Sequence, residues 1–198
     1  LTVEQAKLLP LIAEFTKDFI LVGGTAIAFH LGHRRSIDFD LFTKESFGNQ
    51  SLINKISKIE KIDRVIVNKL DELTLVIRGV KLTFFYYPYE IDYAENLFGV
   101  IKIPNLLTLS AMKAYALGMR AKWKDFIDLY FIIKDHFSVS QISKQSEKIF
   151  GSAFNEKLFR NQLSYFDGID YTEKIEYLPG FEVVDEIIKK KLIDFSLE

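Results

Sequence analysis

The stretch Phe19 to Phe42, FILVGGTAIAFHLGHRRSIDFDLF, decides how this chain is read. Phe19-Ile20-Leu21-Val22 is short, apolar and partly β-branched, and it stops at Gly23-Gly24, the pattern of a buried strand ended by a turn. Thr25 is placed to cap a short helix from Ala26 to Leu31, with Gly32 marking its end. After His33-Arg34-Arg35-Ser36, the segment Ile37-Asp38-Phe39-Asp40-Leu41 alternates strictly and predicts a strand. Ile37, Phe39 and Leu41 then share one face, and Asp38 and Asp40 the other.

Two carboxylates spaced this way have β-carbons roughly 6.5 to 7 Å apart. They can lean onto one cation or bridge two cations about 3.5 to 4 Å apart, the spacing of in-line displacement at phosphorus. Oxygen ligands of this kind suit Mg²⁺, completed by substrate phosphates. The backbone N–H groups at Gly23 and Gly24, the start of the helix behind them and the Thr25 hydroxyl form a candidate anion site for a triphosphate. Arg34 and Arg35 carry guanidinium forks suited to phosphate. The plain alternatives are a simple Gly-Gly turn, an edge strand with a wet acidic face, and a solvated basic loop. Neither a P-loop nor a dinucleotide fingerprint is present.

Further along, Ser51 to Ile59 predicts a helix, and Arg64 to Val67, Leu73 to Arg78 and Val80 to Tyr87 predict strands, the last two joined tightly at Gly79. Tyr89 to Pro104 reads as a connector with its own short strand. The second half is helical, with a helix from Leu106 to about Met119, another from Lys124 to about His136, and amphipathic stretches at 142–150, 153–166 and 183–195. The fold class is α+β, a mixed sheet flanked by helices followed by a helical half, divided as 1–104 and 105–198.

Lys113 and Arg120, seven residues apart, project from one side of a regular helix. They are read either as ligands for the phosphates and the leaving pyrophosphate or as an ordinary solvated face. Asp125 and Asp128 stand at the start of the next helix, where capping and dipole complementation are the architectural alternative.

Gly-Gly-Thr, a short helix, Arg-Arg-Ser and Asp-x-Asp-Leu-Phe resemble the first motif of the AbiEii/AbiGii-type nucleotidyltransferase toxins, of the DNA polymerase β-like superfamily. Met112-Lys113-Ala114 through Arg120, then Lys124-Asp125-Phe126-Ile127-Asp128-Leu129, is similar to that family's later Lys…Arg…(Arg/Lys)-Asp-x-x-Asp-Leu motifs. The resemblance spans roughly residues 15–135. It implies Asp38, Asp40, Lys113 and Asp125 as catalytic residues, with Asp38 and Asp40 holding Mg²⁺ or Mn²⁺. Gly23, Gly24, Thr25, Arg35, Ser36, Arg120 and Lys124 are implied as nucleotide or phosphate ligands, and Asp128 as fixing neighbouring basic groups. The helical half is expected to complete the nucleotide site. The implied reaction moves a nucleoside monophosphate from an NTP to an RNA (possibly tRNA) or protein acceptor, in a toxin restrained by a cognate antitoxin. One departure stands out: where the superfamily carries a third carboxylate on a later strand, Lys81 to Tyr86 offers Thr83. Glu90 or Asp92 folding back is the alternative source of an acid, and a catalytically silent nucleotide- or partner-binding module is the alternative function.

Composition bounds the rest. With 198 residues, 48% hydrophobic and 27% charged, the chain can bury one large core or two smaller ones. A net charge of −1 argues against a broadly basic nucleic-acid coat, so any polynucleotide contact is local. No cysteine means no disulfide and no thiolate metal site. No apolar run is long enough to span a bilayer and the N-terminal stretch is not a signal peptide, so a cytoplasmic location without membrane contact is expected.

Overall fold

A computed structural model describes residues 1–93 and 95–198 and divides into two compact units: residues 1–29 with 36–105, and residues 30–35 with 106–198. The six residues 30–35 group with the helical unit, a feature that a single cut after residue 104 leaves out.

The first unit is built on a five-stranded sheet. Its strands are β1 (Ile20–Val22), β2 (Phe39–Thr43), β3 (Arg64–Lys69), β4 (Glu72–Ile77) and β5 (Val80–Tyr86), in the order β1-β2-β5-β4-β3. Only β2 and β5 run parallel, and the other pairings are antiparallel. Parallel neighbours need a long crossover, here supplied by α3 (Asn49–Ser57), β3 and β4. The β4–β5 hairpin closes at Arg78 and Gly79, with φ of 52° and 75°, the left-handed pair that matches strand twist in a two-residue turn. Helix α1 (Val3–Ala13) opens with a capping box in which the Thr2 side chain accepts from the Gln5 amide and the Gln5 side chain accepts from Thr2.

Register divides the sheet into two chemically different faces. Phe39 and Leu41 of β2 lie level with Leu82 and Phe84 of β5, which pair with Leu75 and Leu73 of β4. All six side chains are completely buried. Phe15 and Phe19 meet Phe84 edge to face at 5.1 and 5.2 Å, a geometry favoured by aromatic quadrupoles. The opposite face carries Asp40, Phe42, Lys81, Thr83 and Phe85. Ile37, expected on the buried face, is exposed, because β2 begins only at Phe39. The connector Tyr89 to Pro104 holds β6 (Glu95–Leu97) and β7 (Ile101–Ile103), an antiparallel pair rather than one strand; Ala94 lies outside the described residues.

The second unit contains α4 (Leu106–Leu117), α5 (Trp123–Asp135), α6 (Val139–Phe150), α7 (Glu156–Leu163) and α8 (Asp185–Leu197). Helix α5 is its central element, with every residue from Asp125 to Ile133 buried. Tyr115 of α4 stacks on Phe150 of α6 at 4.3 Å. Ser138 and Gln141 form a second capping box at the start of α6. Between α7 and α8, residues 164–184 run without a helix. No helix among the described residues is long and apolar enough to cross a membrane.

Candidate active site

In the sheet unit, the glycine turn and the acidic strand come together at one point. Val22, the last residue of β1, pairs with Asp40, so the chain enters Gly23 directly beneath that carboxylate. Gly23 has φ of +71°, and a Cβ on it would stand 2.2 Å from Asp40 Oδ2. Only glycine permits both the backbone angle and the approach. Helix α2 (Gly23–Leu31) begins at Gly23, two residues before the expected cap. Thr25 therefore lies inside the helix instead of capping it. Its hydroxyl donates to the Asp38 carbonyl oxygen and sits 3.1 Å from Ser36 Oγ, which pins the chain just ahead of β2.

Asp38 precedes β2 by one residue yet keeps the strand's alternation. Phe39 is level with Leu82, and the Asp38 carboxylate accepts from Lys81 Nζ at 2.7 Å. Lys81 and Thr83 share a face of β5, and Thr83 is the register partner of Asp40. Asp38 and Asp40 thus share that face. The position opposite Asp40 carries a hydroxyl, 3.5 Å from the Thr74 hydroxyl. Glu90, the alternative acid, accepts from Lys44 at 2.6 Å. Among the described residues no cluster of three or more His, Cys, Asp or Glu forms a metal cage. Two hard carboxylates on one face fit Mg²⁺ when phosphate and water complete its shell. A cavity of about 290 Å³ is lined by Phe19, Phe42, Lys44, Tyr89 and Lys102, and neither aspartate lines it.

The helical unit gathers its own charges, all from residues singled out by sequence except His33. Asp128 on α5 accepts from Arg34 Nε at 2.7 Å and Arg34 Nη2 at 2.9 Å. It also accepts from His33 Nε2 at 2.8 Å and lies 3.0 Å from Lys113 Nζ. Because an ionised carboxylate only accepts, that imidazole nitrogen carries the proton. The other, Nδ1, is buried without a hydrogen-bond partner among the described residues. Lys113 reaches Asp125 at 2.7 Å, and Arg120 Nε reaches the other Asp125 oxygen at 3.2 Å. Helix α4 ends at Leu117, so Lys113 and Arg120 converge through this shared carboxylate and not through helical periodicity.

Burial works against the charges on Asp128, Lys113 and Arg34, and their partners overcome it. Desolvation would raise the Asp128 carboxyl, but Arg34, Lys113 and the His33 hydrogen bond hold it well below the usual carboxylate range. Desolvation likewise opposes the cations on Lys113 and Arg34, yet Asp125 and Asp128 keep Lys113 above its ordinary value and Asp128 does so for Arg34. Lys113, Arg34, Asp125 and Asp128 are all buried, whereas Arg120 is half-exposed.

A strap that sequence reasoning passed over completes the unit. The Asp170 amide donates to Ala121 and the Trp123 amide to Asp170, while Arg35 and Leu178 donate to Glu176 and His33. Glu173 accepts from Lys122 at 2.7 Å and from Lys124, and Glu176 from Arg35 at 2.5 Å. Two proposed phosphate ligands, Lys124 and Arg35, are therefore engaged by internal carboxylates. Alternating acids in a stretch of irregular backbone were the available signal.

A mixed α+β sheet with a glycine turn set under a strand aspartate is the arrangement expected from the nucleotidyltransferase resemblance, and comparison with known proteins gives that class. Residues 11–103 match the model of the AbiEii toxins, nucleotidyl transferases of type IV toxin–antitoxin systems. A protein of Aquifex aeolicus (strain VF5), the uncharacterized aq_aa25, is 32% identical over 186 residues, covering 90% of this chain and 88% of its own. The nucleotidyltransferase toxin MenT4 (Rv2826c) of Mycobacterium tuberculosis H37Rv superposes with a TM-score of 0.60 at 13% identity, over 99% of this chain and 82% of that one. JHP933 of Helicobacter pylori gives 0.52 at 16% identity, over 74% and 72%. The chain belongs to the AbiEii nucleotidyltransferase toxin family.

Proposed function

We propose that this chain transfers a nucleoside monophosphate from an NTP to a hydroxyl of an RNA or protein acceptor, with tRNA the RNA to try first, under the restraint of a cognate antitoxin protein. The observation that supports the reading is the convergence of Gly23 and Asp40, which brings helix α2's start and the acidic strand together. Asp38 and Asp40 would hold Mg²⁺ or Mn²⁺, which supplies Lewis acidity and charge neutralisation to the phosphates when bound. Gly23, Gly24, Thr25 and Ser36 line the anion side. The acceptor oxygen forms a bond to the α-phosphorus, the bond to the β-phosphate oxygen breaks, pyrophosphate leaves with that electron pair, and the hydroxyl proton passes to water.

The family resemblance assigns catalytic roles to Lys113 and Asp125 and phosphate roles to Arg35, Arg120 and Lys124. Within its unit, Lys113 is held by Asp125 and Asp128, so its part in this reading is to fix Asp125. Arg120 is half-exposed and bonds Asp125 through Nε, and the phosphate role that the resemblance assigns to it is part of this reading.

Incubation with Mg²⁺, each labelled NTP and total tRNA tests the reading. Label on RNA that is lost in Asp38→Ala and Asp40→Ala is the expected result. No label above those controls, with protein extract as well as RNA, would overturn enzymatic transfer. Label on extract protein alone would make protein the acceptor, and a mass increase of the chain itself would make the transfer self-directed. Thr83 in place of an acid favours one second reading, a silent module that binds NTP without turnover. Calorimetric NTP binding with no Mg²⁺-dependent product identifies that case.

A further inference from the structure

The Lys81 ammonium is a cation already seated on the acidic face of the sheet. It lies 2.7 Å from Asp38 Oδ2, on the sheet face shared by Asp38, Asp40 and Thr83. A Mg²⁺ ligated by that carboxylate would stand about 2.0 to 2.1 Å from its oxygen, so ammonium and metal compete for the same negative charge. The side chain is anchored for this position. Lys81 lies on β5, hydrogen-bonded between β2 and β4 in the middle of the sheet, and is 36% exposed.

Charge points the same way. A pair of divalent ions bridged for phosphoryl transfer is held by a surplus of carboxylates, and this face has two. Compared with a three-carboxylate arrangement, Thr83 removes one negative charge and Lys81 adds one positive charge. The fixed charge moves by +2, the charge of one divalent ion. Both residues fall on one strand, two residues apart, on one face.

We propose that Lys81 permanently fills one of the two cation positions beside Asp38 and Asp40, so that the site takes a single divalent ion. The proposal rests on reading this face as a metal–NTP site and specifies its ion count. Lys81 is a positioning and charge-neutralising residue: it holds Asp38 and supplies one cation without loading from solution. Tighter dependence on free metal follows for any variant that loses it.

Counting bound Mn²⁺ by the loss of its free electron paramagnetic resonance signal, with a non-hydrolysable NTP present, tests this without turnover. One Mn²⁺ per wild-type chain is expected, and two per chain in Lys81→Met/Thr83→Asp. Lys81→Arg, which keeps the cation, is expected to return one. Two ions in the wild type, or one in the double variant shown to be folded by thermal melting, overturn the inference while leaving nucleotidyl transfer intact. Zero ions in the wild type overturns both this inference and the metal–NTP reading. If the double variant does not fold, the wild-type count alone decides.

Discussion

Arg34 grips Asp128 with two parallel hydrogen bonds, Nε to Oδ1 at 2.7 Å and Nη2 to Oδ2 at 2.9 Å, across 94 residues of sequence. Both groups are buried. Removing one partner of such a pair strands the other charge in a poorly solvating interior, which costs about 3 to 5 kcal/mol. Arg34→Ala is therefore expected to lose roughly that much stability in urea unfolding. Arg34→Lys keeps the charge but not the fork and falls between. A variant as stable as wild type would show that the clasp contributes nothing net.

The same cluster sets the pH dependence of folding. Asp128 is depressed in the folded protein, so its contribution is complete above the unfolded carboxyl value and is lost as pH falls through the folded one. Arg34 and Lys113 are raised above their ordinary values by Asp128 and Asp125, so their contributions are complete at neutral pH and fade only in strongly alkaline solution. Denaturation free energy is expected to be flat across neutrality and to decline in acid below about pH 4. Asp128→Asn should lower the plateau and flatten the acid limb. An unchanged acid limb would move its origin to other carboxylates.

Glu173 has the clearest acid switch. Burial would raise its carboxyl, but hydrogen bonds from Lys122 and Lys124 bring it from 4.5 to about 2. Its hold on the strap is complete above 4.5 and is lost as pH falls toward about 2. Hydrogen exchange at the Trp123 and Asp170 amides, which bond to Asp170 and Ala121, should lose protection over that range. Glu173→Gln is expected to show the reduced protection already at neutral pH. Full protection in that variant would mean that the backbone bonds alone hold the strap.

Gly23 and Gly32 form a matched pair of tests. Both have positive φ, +71° and +66°, but a Cβ at Gly32 meets nothing within 4 Å, whereas at Gly23 it meets Asp40. Alanine at either costs about 1 to 2 kcal/mol of backbone strain. Gly23→Ala must also displace the carboxylate. Its NTP and Mg²⁺ affinity by calorimetry is expected to fall at least tenfold, against little change in Gly32→Ala. Equal binding in the two would separate Asp40 from the ligand.

Local periodicity explains what could be read from sequence. The β4–β5 hairpin announced itself through Gly79 between β-branched runs, whereas the capping boxes at Thr2 and Ser138, equally local signals, were passed over. Asp38 and Asp40 share a face because strand alternation is a property of neighbours. The rest depended on distant partners. Lys81 is one lysine in a strand until the parallel β2–β5 register sets it level with Asp38. Lys113 reads as an exposed helix cation until Asp125 and Asp128 arrive from the next helix. Thr25 resembled a cap because hydroxyls favour that position, yet its partner is the carbonyl of Asp38, thirteen residues on. His33 offered no spacing signal at all, since its contact is with a carboxylate 95 residues away.

The grouping of residues 30–35 with 106–198 bears on any attempt to dissect the toxin. A C-terminal fragment starting at residue 105 would inherit Asp128 but forfeit Arg34 and His33, its guanidinium and imidazole donors. Severing the polypeptide there does not yield two self-sufficient halves. A faithful dissection would have to graft the hexapeptide HLGHRR onto the later piece.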